Sequence, residues 1–175
     1  MTANVLRYSI RDESLCGTVA SISFSMRAFS GGGRGSTSGM QRADLRHWNT
    51  AKKAPVVFDK ANRGGPIPLG WYLATYFGHH PHLGLCAQLD QTMSSLIQRD
   101  YNSPIGLSFA ARSGFYIHGE GPKGSDGCIV PAIKDDLHKL LKAIKSAGGP
   151  VVLIVHSEGV NADKFEASSF SANVA

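Results

Sequence analysis

Three cysteines in 175 residues, at positions 16, 86 and 128, do not make a disulfide-stapled scaffold. No Cys-x-x-Cys occurs, which argues against a structural zinc site of the usual spacing. The odd count leaves a thiol free even if Cys16 and Cys86 pair, and both are expected as buried free thiols. No stretch approaches the ~20 apolar residues of a membrane-crossing helix, so membrane insertion is not expected. Residues 1–30 carry Arg7, Arg11, Asp12, Glu13 and Arg27 and no uninterrupted apolar core. Synthesis in the cytoplasm without a signal peptide is therefore expected. Charge is sparse, at 18% of residues, and its balance of 18 basic against 13 acidic gives +5. The basic residues are scattered, and no Arg or Lys run is interleaved with aromatics. No base-stacking platform for nucleic acid is expected. The excess charge reads as solubility, compatible with attraction to an anionic polymer.

Two tracts invite a ligand and lack what the ligand needs. His79-His80-Pro81-His82 has no carboxylate-rich partner stretch, and adjacent residues of an extended chain point apart. It is expected as an exposed loop, with no metal and no cofactor. The glycine cluster that follows Phe29-Ser30 lacks Gly-Lys-Ser/Thr, and Ser36-Thr37-Ser38-Gly39 is a poor helix start. It reads as a flexible loop rather than a phosphate cradle.

The chain does hold short apolar strands. Hydrophobic residues make up 42% of it, enough for one domain with a real core. Strands are expected at 5–10, at 19–29 where Ile22, Phe24, Met26 and Ala28 alternate with polar residues, at 71–77 and at 151–155. Shorter ones are expected at 55–58 and 105–111. Helical spacing appears at Leu89, Met93, Leu96 and Ile97 in the ambiguous segment 83–100, and a short helix is allowed at 40–53. The clearest helix carries Leu137, Leu140, Leu141 and Ile144 on one face, with Asp135 and Asp136 at its start and Gly148-Gly149-Pro150 after its end. His138 falls off that face. The expected class is mainly β (α+β): a single-domain β-sandwich over residues 1–160 with a few helices, and a Ser/Ala-rich tail at 161–175.

The chemistry concentrates in Phe115-Tyr116-Ile117-His118-Gly119-Glu120-Gly121-Pro122-Lys123-Gly124-Ser125-Asp126-Gly127-Cys128-Ile129-Val130-Pro131. An apolar strand stops at a histidine, a glycine-rich loop follows, and a cysteine opens a second apolar run. A thiol becomes a strong nucleophile when an imidazole within reach takes its proton or holds the thiolate as an ion pair. The loop glycines allow the chain to fold back and bring the two together. Taken singly, each has a bland account: the cysteine as a small core residue, the histidine as a satisfied strand end.

His118-Gly119 followed by Ser125-Asp126-Gly127-Cys128 resembles the active-site signature of the YkuD-type L,D-transpeptidases, His-Gly, a spacer, then Ser/Thr-His-Gly-Cys. The spacer is short and Asp126 replaces the usual second histidine. Both features resemble the compact branch delivered as toxins by type VI secretion. Gly65-Pro66-Ile67-Pro68-Leu69-Gly70-Trp71-Tyr72 resembles the Pro-x-Gly-x-Tyr element of the same family, and the Phe-Ser-Gly turn at 29–31 resembles one between its early strands. The resemblance implies a β-sandwich catalytic domain and acyl transfer on peptidoglycan stem tetrapeptides, at the bond between the third residue and D-alanine. It makes Cys128 the nucleophile, His118 its base, the Gly119 carbonyl the group that orients the imidazole, Gly127 part of the oxyanion hole and Ser125 a loop support. Tyr116 and Asp126 are expected to contact substrate. Arg112 can give a bidentate contact to a carboxylate or serve as a surface charge. The resemblance further implies secretion into the periplasm of a target cell, a secretion machine and a cognate immunity protein. Two rivals stay open: a papain-like murein amidase, which usually places cysteine before histidine, and a basic binding module in which Cys128 is core.

Overall fold

A computed structural model describes residues 4–31, 66–67, 70–90, 114–119, 125 and 127–156. Eight strands appear there: β1 (Val5–Ser9), β2 (Ser14–Val19), β3 (Ile22–Ser30), β4 (Gly70–His80), β5 (Gly84–Asp90), β6 (Phe115–His118), β7 (Ile129–Pro131) and β8 (Val151–His156). One helix, α1 (Lys134–Ser146), lies between β7 and β8.

The strands close into a barrel in the order β1-β2-β3-β7-β6-β5-β4-β8. This corrects the expected sandwich to a closed barrel, while the mainly β content stands. Two parallel pairings distinguish the architectures. β8 pairs parallel with β1 and antiparallel with β4. β7 pairs parallel with β6 and antiparallel with β3. These pairings remove the open edges that a two-sheet sandwich would keep. Period-2 patterning reports which face of a strand is apolar and carries no information about which strand lies beside it.

Alternation sets the inside of the barrel. Leu6 and Tyr8 on β1, Met26 and Ala28 on β3, Ala87 and Leu89 on β5, Phe115 and Ile117 on β6, and Ile129 on β7 all join one core. Leu137, Leu140, Leu141 and Ile144 of α1 join the same core, as the helical spacing predicts. The helix packs this apolar face against β4, β5, β2, β3 and β7, while its charged face is exposed. Gly148 follows it in the left-handed conformation at φ 70°. Among the described residues no helix is long and apolar enough to cross a membrane.

Other boundaries differ from the sequence reading. The run expected as one strand at 19–29 straddles a tight hairpin. Val19 pairs with Ile22 across Ala20 and Ser21, which sit at φ 49° and 64°. That is a two-residue turn of the mirror type, made here without the Asn-Gly that usually marks it. Phe29 belongs to β3 as expected, and Ser30, expected in the turn that follows, is the last residue of that strand. Part of the ambiguous 83–100 segment is strand β5 rather than helix. β4 runs through His79 and His80, so these belong to a strand and not to the expected exposed loop. The segments expected at 40–53, 55–58, 105–111 and 161–175 lie outside the described residues.

Candidate active site

His118 ends β6 next to the core residue Ile117, so alternation turns its ring to the outer face of the barrel. It is nevertheless only 5% exposed. Its Nδ1 lies 3.0 Å from the Gly119 carbonyl oxygen. A carbonyl only accepts, so Nδ1 carries the proton and donates, and Nε2 of the neutral ring is left as the basic nitrogen. Burial pushes the imidazole below its ordinary range; the Gly119 carbonyl opposes this, and repulsion from His80 adds to it. Gly119 has a packing reason too. A Cβ there would meet Leu137 Cδ2 of α1 at 2.6 Å.

Cys128 immediately precedes β7, whose Ile129 is the register partner of Ile117 in the parallel β6–β7 pair. Ile129 points into the core, so Cys128 takes the outer face, like His118. The two are diagonal neighbours, two residue steps apart along the strands (~6.6 Å) and one strand spacing (~4.8 Å) across. Cys128 is half-buried, and neither it nor Cys16 or Cys86 is in a disulfide. Cys16 is half-buried rather than buried. It lies on β2, separated from Cys86 on β5 by three strands of the barrel.

Hydroxyl groups hold the loop that delivers Cys128. Ser125 Oγ donates to the Cys128 carbonyl at 2.6 Å and accepts from Gly31 N–H at 3.2 Å. Ser125 N–H donates to the Gly31 carbonyl at 3.1 Å. Ser125 thus ties Gly31 to the Cys128 carbonyl. Ser30, which sequence reading left in a loop, is 1% exposed; its Oγ donates to the Gly127 carbonyl at 3.1 Å and accepts from Ile67 N–H at 2.8 Å. Gly127 sits at φ 117°, a conformation that disfavours any side chain.

Around this centre the outer face carries rings. Tyr116 stands two residues before His118, and its ring lies 5.3 Å from that of His80 and 5.9 Å from that of Phe77. Phe77 is the extra residue of a bulge in β4 and is exposed. On the other side of β6, Cys86 is the cross-strand partner of His118 and is fully buried; burial pushes its thiol up, a backbone hydrogen bond at His80 opposing. Such a thiol is poorly suited to be a nucleophile. Sequence reading missed His80 because its place beside Tyr116 and its repulsion of His118 arise from strand pairing. Arg112 and Asp126 lie outside the described residues. Among the described residues no group of three or more His, Cys, Asp and Glu side chains forms a metal site.

No protein-family model matches the chain, and no curated protein matches it. Among solved structures it is similar to the helical cell shape determining protein Pgp2 from Campylobacter jejuni, with 15% identity and a TM-score of 0.46. The match covers 89% of this chain and 48% of that one, so the chain spans about half of that protein's length.

Proposed function

We propose that the protein is a cysteine acyl-transfer enzyme acting on peptidoglycan stem tetrapeptides, an L,D-carboxypeptidase or L,D-transpeptidase. One observation carries this reading: His118 ends β6 and Cys128 directly precedes β7, the parallel neighbour whose Ile129 is in register with Ile117, with the imidazole oriented by the Gly119 carbonyl. In the reaction Cys128 Sγ loses its proton to His118 Nε2 and attacks the carbonyl of the third residue. The resulting oxyanion is held by backbone N–H groups at Gly127 and Cys128. The intermediate collapses to a thioester, and D-alanine leaves with the proton from His118. Water then resolves the thioester in hydrolysis, or a free D-amino acid does so in exchange. Depressed basicity suits His118 to this work, because its neutral form persists at mildly acidic pH.

The papain-like reading loses support, since Cys128 directly precedes a strand rather than heading a helix. The sequence resemblance supports the wider role of a secreted antibacterial effector, delivered to the periplasm of a rival cell and neutralised at home by an immunity protein. Mass spectrometry of muropeptides incubated with wild type and Cys128→Ala tests the chemistry. Loss or exchange of the terminal D-alanine by the wild type alone is expected. Cleavage elsewhere in the stem overturns the assignment, as does no change with folded, reduced protein.

A further inference from the structure

We infer that Ser30 is a positioning residue for the oxyanion hole: its hydroxyl sets the plane of the Gly127–Cys128 peptide and thereby aims the Cys128 N–H. The inference rests on the acyl-transfer reading above. Ser30 follows Met26 and Ala28 on β3 with the inward parity, and all three are buried. Its Oγ holds the Gly127 carbonyl from that inner side at 3.1 Å. A trans peptide is planar, with its N–H antiparallel to its C=O, and no cis bond occurs among the described residues. Fixing the carbonyl inward therefore directs the Cys128 N–H toward the outer face, where Cys128 and His118 stand.

The hydroxyl is itself oriented. Ile67 N–H donates to Ser30 Oγ at 2.8 Å, which leaves the Ser30 proton for the Gly127 carbonyl. Ser125 does a different task one peptide later, holding the Cys128 carbonyl and Gly31. The two serines thus fix consecutive peptides on either side of the nucleophile's Cα. Gly127, at φ 117°, has a soft backbone that would otherwise let the first of those peptides rotate.

The role separates two reactions of the same thiol. Acetylation by p-nitrophenyl acetate passes through a tetrahedral oxyanion: the Cys128 sulfur bonds the acetyl carbon, p-nitrophenolate leaves with the electron pair, and the thiol proton goes to His118. Alkylation by iodoacetamide displaces iodide at a saturated carbon and forms no oxyanion. Both rates are followed at Cys128 by peptide mass spectrometry, with Cys16 and Cys86 as internal controls. Ser30→Ala is expected to slow acetylation about 10- to 100-fold, the range for a misplaced or lost oxyanion donor. Alkylation should stay within about threefold, and Ser30→Thr should restore acetylation. Equal slowing of both reactions, or of neither, overturns the assignment. If Ser30→Ala does not unfold cooperatively, the ratio is read on Ser30→Thr against Ser30→Val, which differ by the hydroxyl in one shape; equal ratios again overturn it. Neither reagent is a muropeptide, so failure of the stem-peptide reading leaves this test intact.

Discussion

Two joins in the barrel hold strands together by different means. Between β2 and β3 the backbone ladder is continuous, with six register pairs from Ser14 and Arg27 to Val19 and Ile22. Between β6 and β7 only Ile117 and Ile129 are in register, and the pair is parallel. There the chain is secured by Ser30 and Ser125, which bond backbone groups 97 and 94 residues away in sequence. A long antiparallel ladder satisfies its own polar groups and needs no side chains. A short parallel contact leaves carbonyls that hydroxyls must satisfy, and those hydroxyls then decide where a neighbouring side chain and N–H point. The candidate site sits at the second kind of join.

The sharpest way to separate the two regions is to remove chemistry without touching packing. Cys128→Ala is expected to lower turnover of muropeptides more than about 10³-fold while leaving thermal unfolding unchanged. Parallel loss of folding would show Cys128 to be a structural residue. At the other join the expected effect is on stability. Gly17, at φ 142° on β2, faces β1 so closely that a Cβ would collide with the Val5 carbonyl oxygen. Gly17→Ala should cost about 3 kcal/mol, measured by denaturant unfolding, with the Cys128 alkylation rate of the folded fraction preserved.

A pH series ties the site to stability. His118 is held below its ordinary range, chiefly by burial. As pH falls through the unfolded histidine value of about 6.5, the unfolded chain takes up a proton that the folded chain refuses. The folded state therefore loses stability with acid until His118 itself protonates. The fall in melting temperature between pH 7.5 and 5 should be smaller for His118→Gln than for wild type. In His80→Gln the removed repulsion should move the His118 titration upward, as read from its ring resonances by NMR. An unmoved His118 titration would remove His80 from the site. The smallest expected effect returns to the hairpin: replacing Ala20-Ser21, both at positive φ, by Asn-Gly should stabilise by about 1 kcal/mol. Acyl transfer should not change.

The candidate-site stretch was legible because its residue pattern is local. His118, Gly119, Ser125, Gly127 and Cys128 fall within eleven residues, and a histidine at a strand end before a glycine-rich loop and a cysteine is a readable pattern. The buried face of α1 was legible from its period, and β8 from a continuous apolar run of strand length. Ser30 and His80 were not. Ser30 looks like loop punctuation beside its glycines, and its work depends on Ile67 and Gly127, which are remote in sequence. His80 looks like part of a polar tract, and only the β4–β5–β6 pairing sets its ring against Tyr116.

The amino-acid sequence by itself determined the strand-rich class, the amphipathic helix and the His–Cys constellation, because each follows from side-chain type at short spacing. Tertiary structure alone decided that the strands close into a barrel, that β6 and β7 lie side by side and parallel, and that the distant Ser30 joins Ser125 in holding the peptides on either side of Cys128. Strand neighbours are chosen by long-range pairing and burial, and no local pattern of residues encodes them.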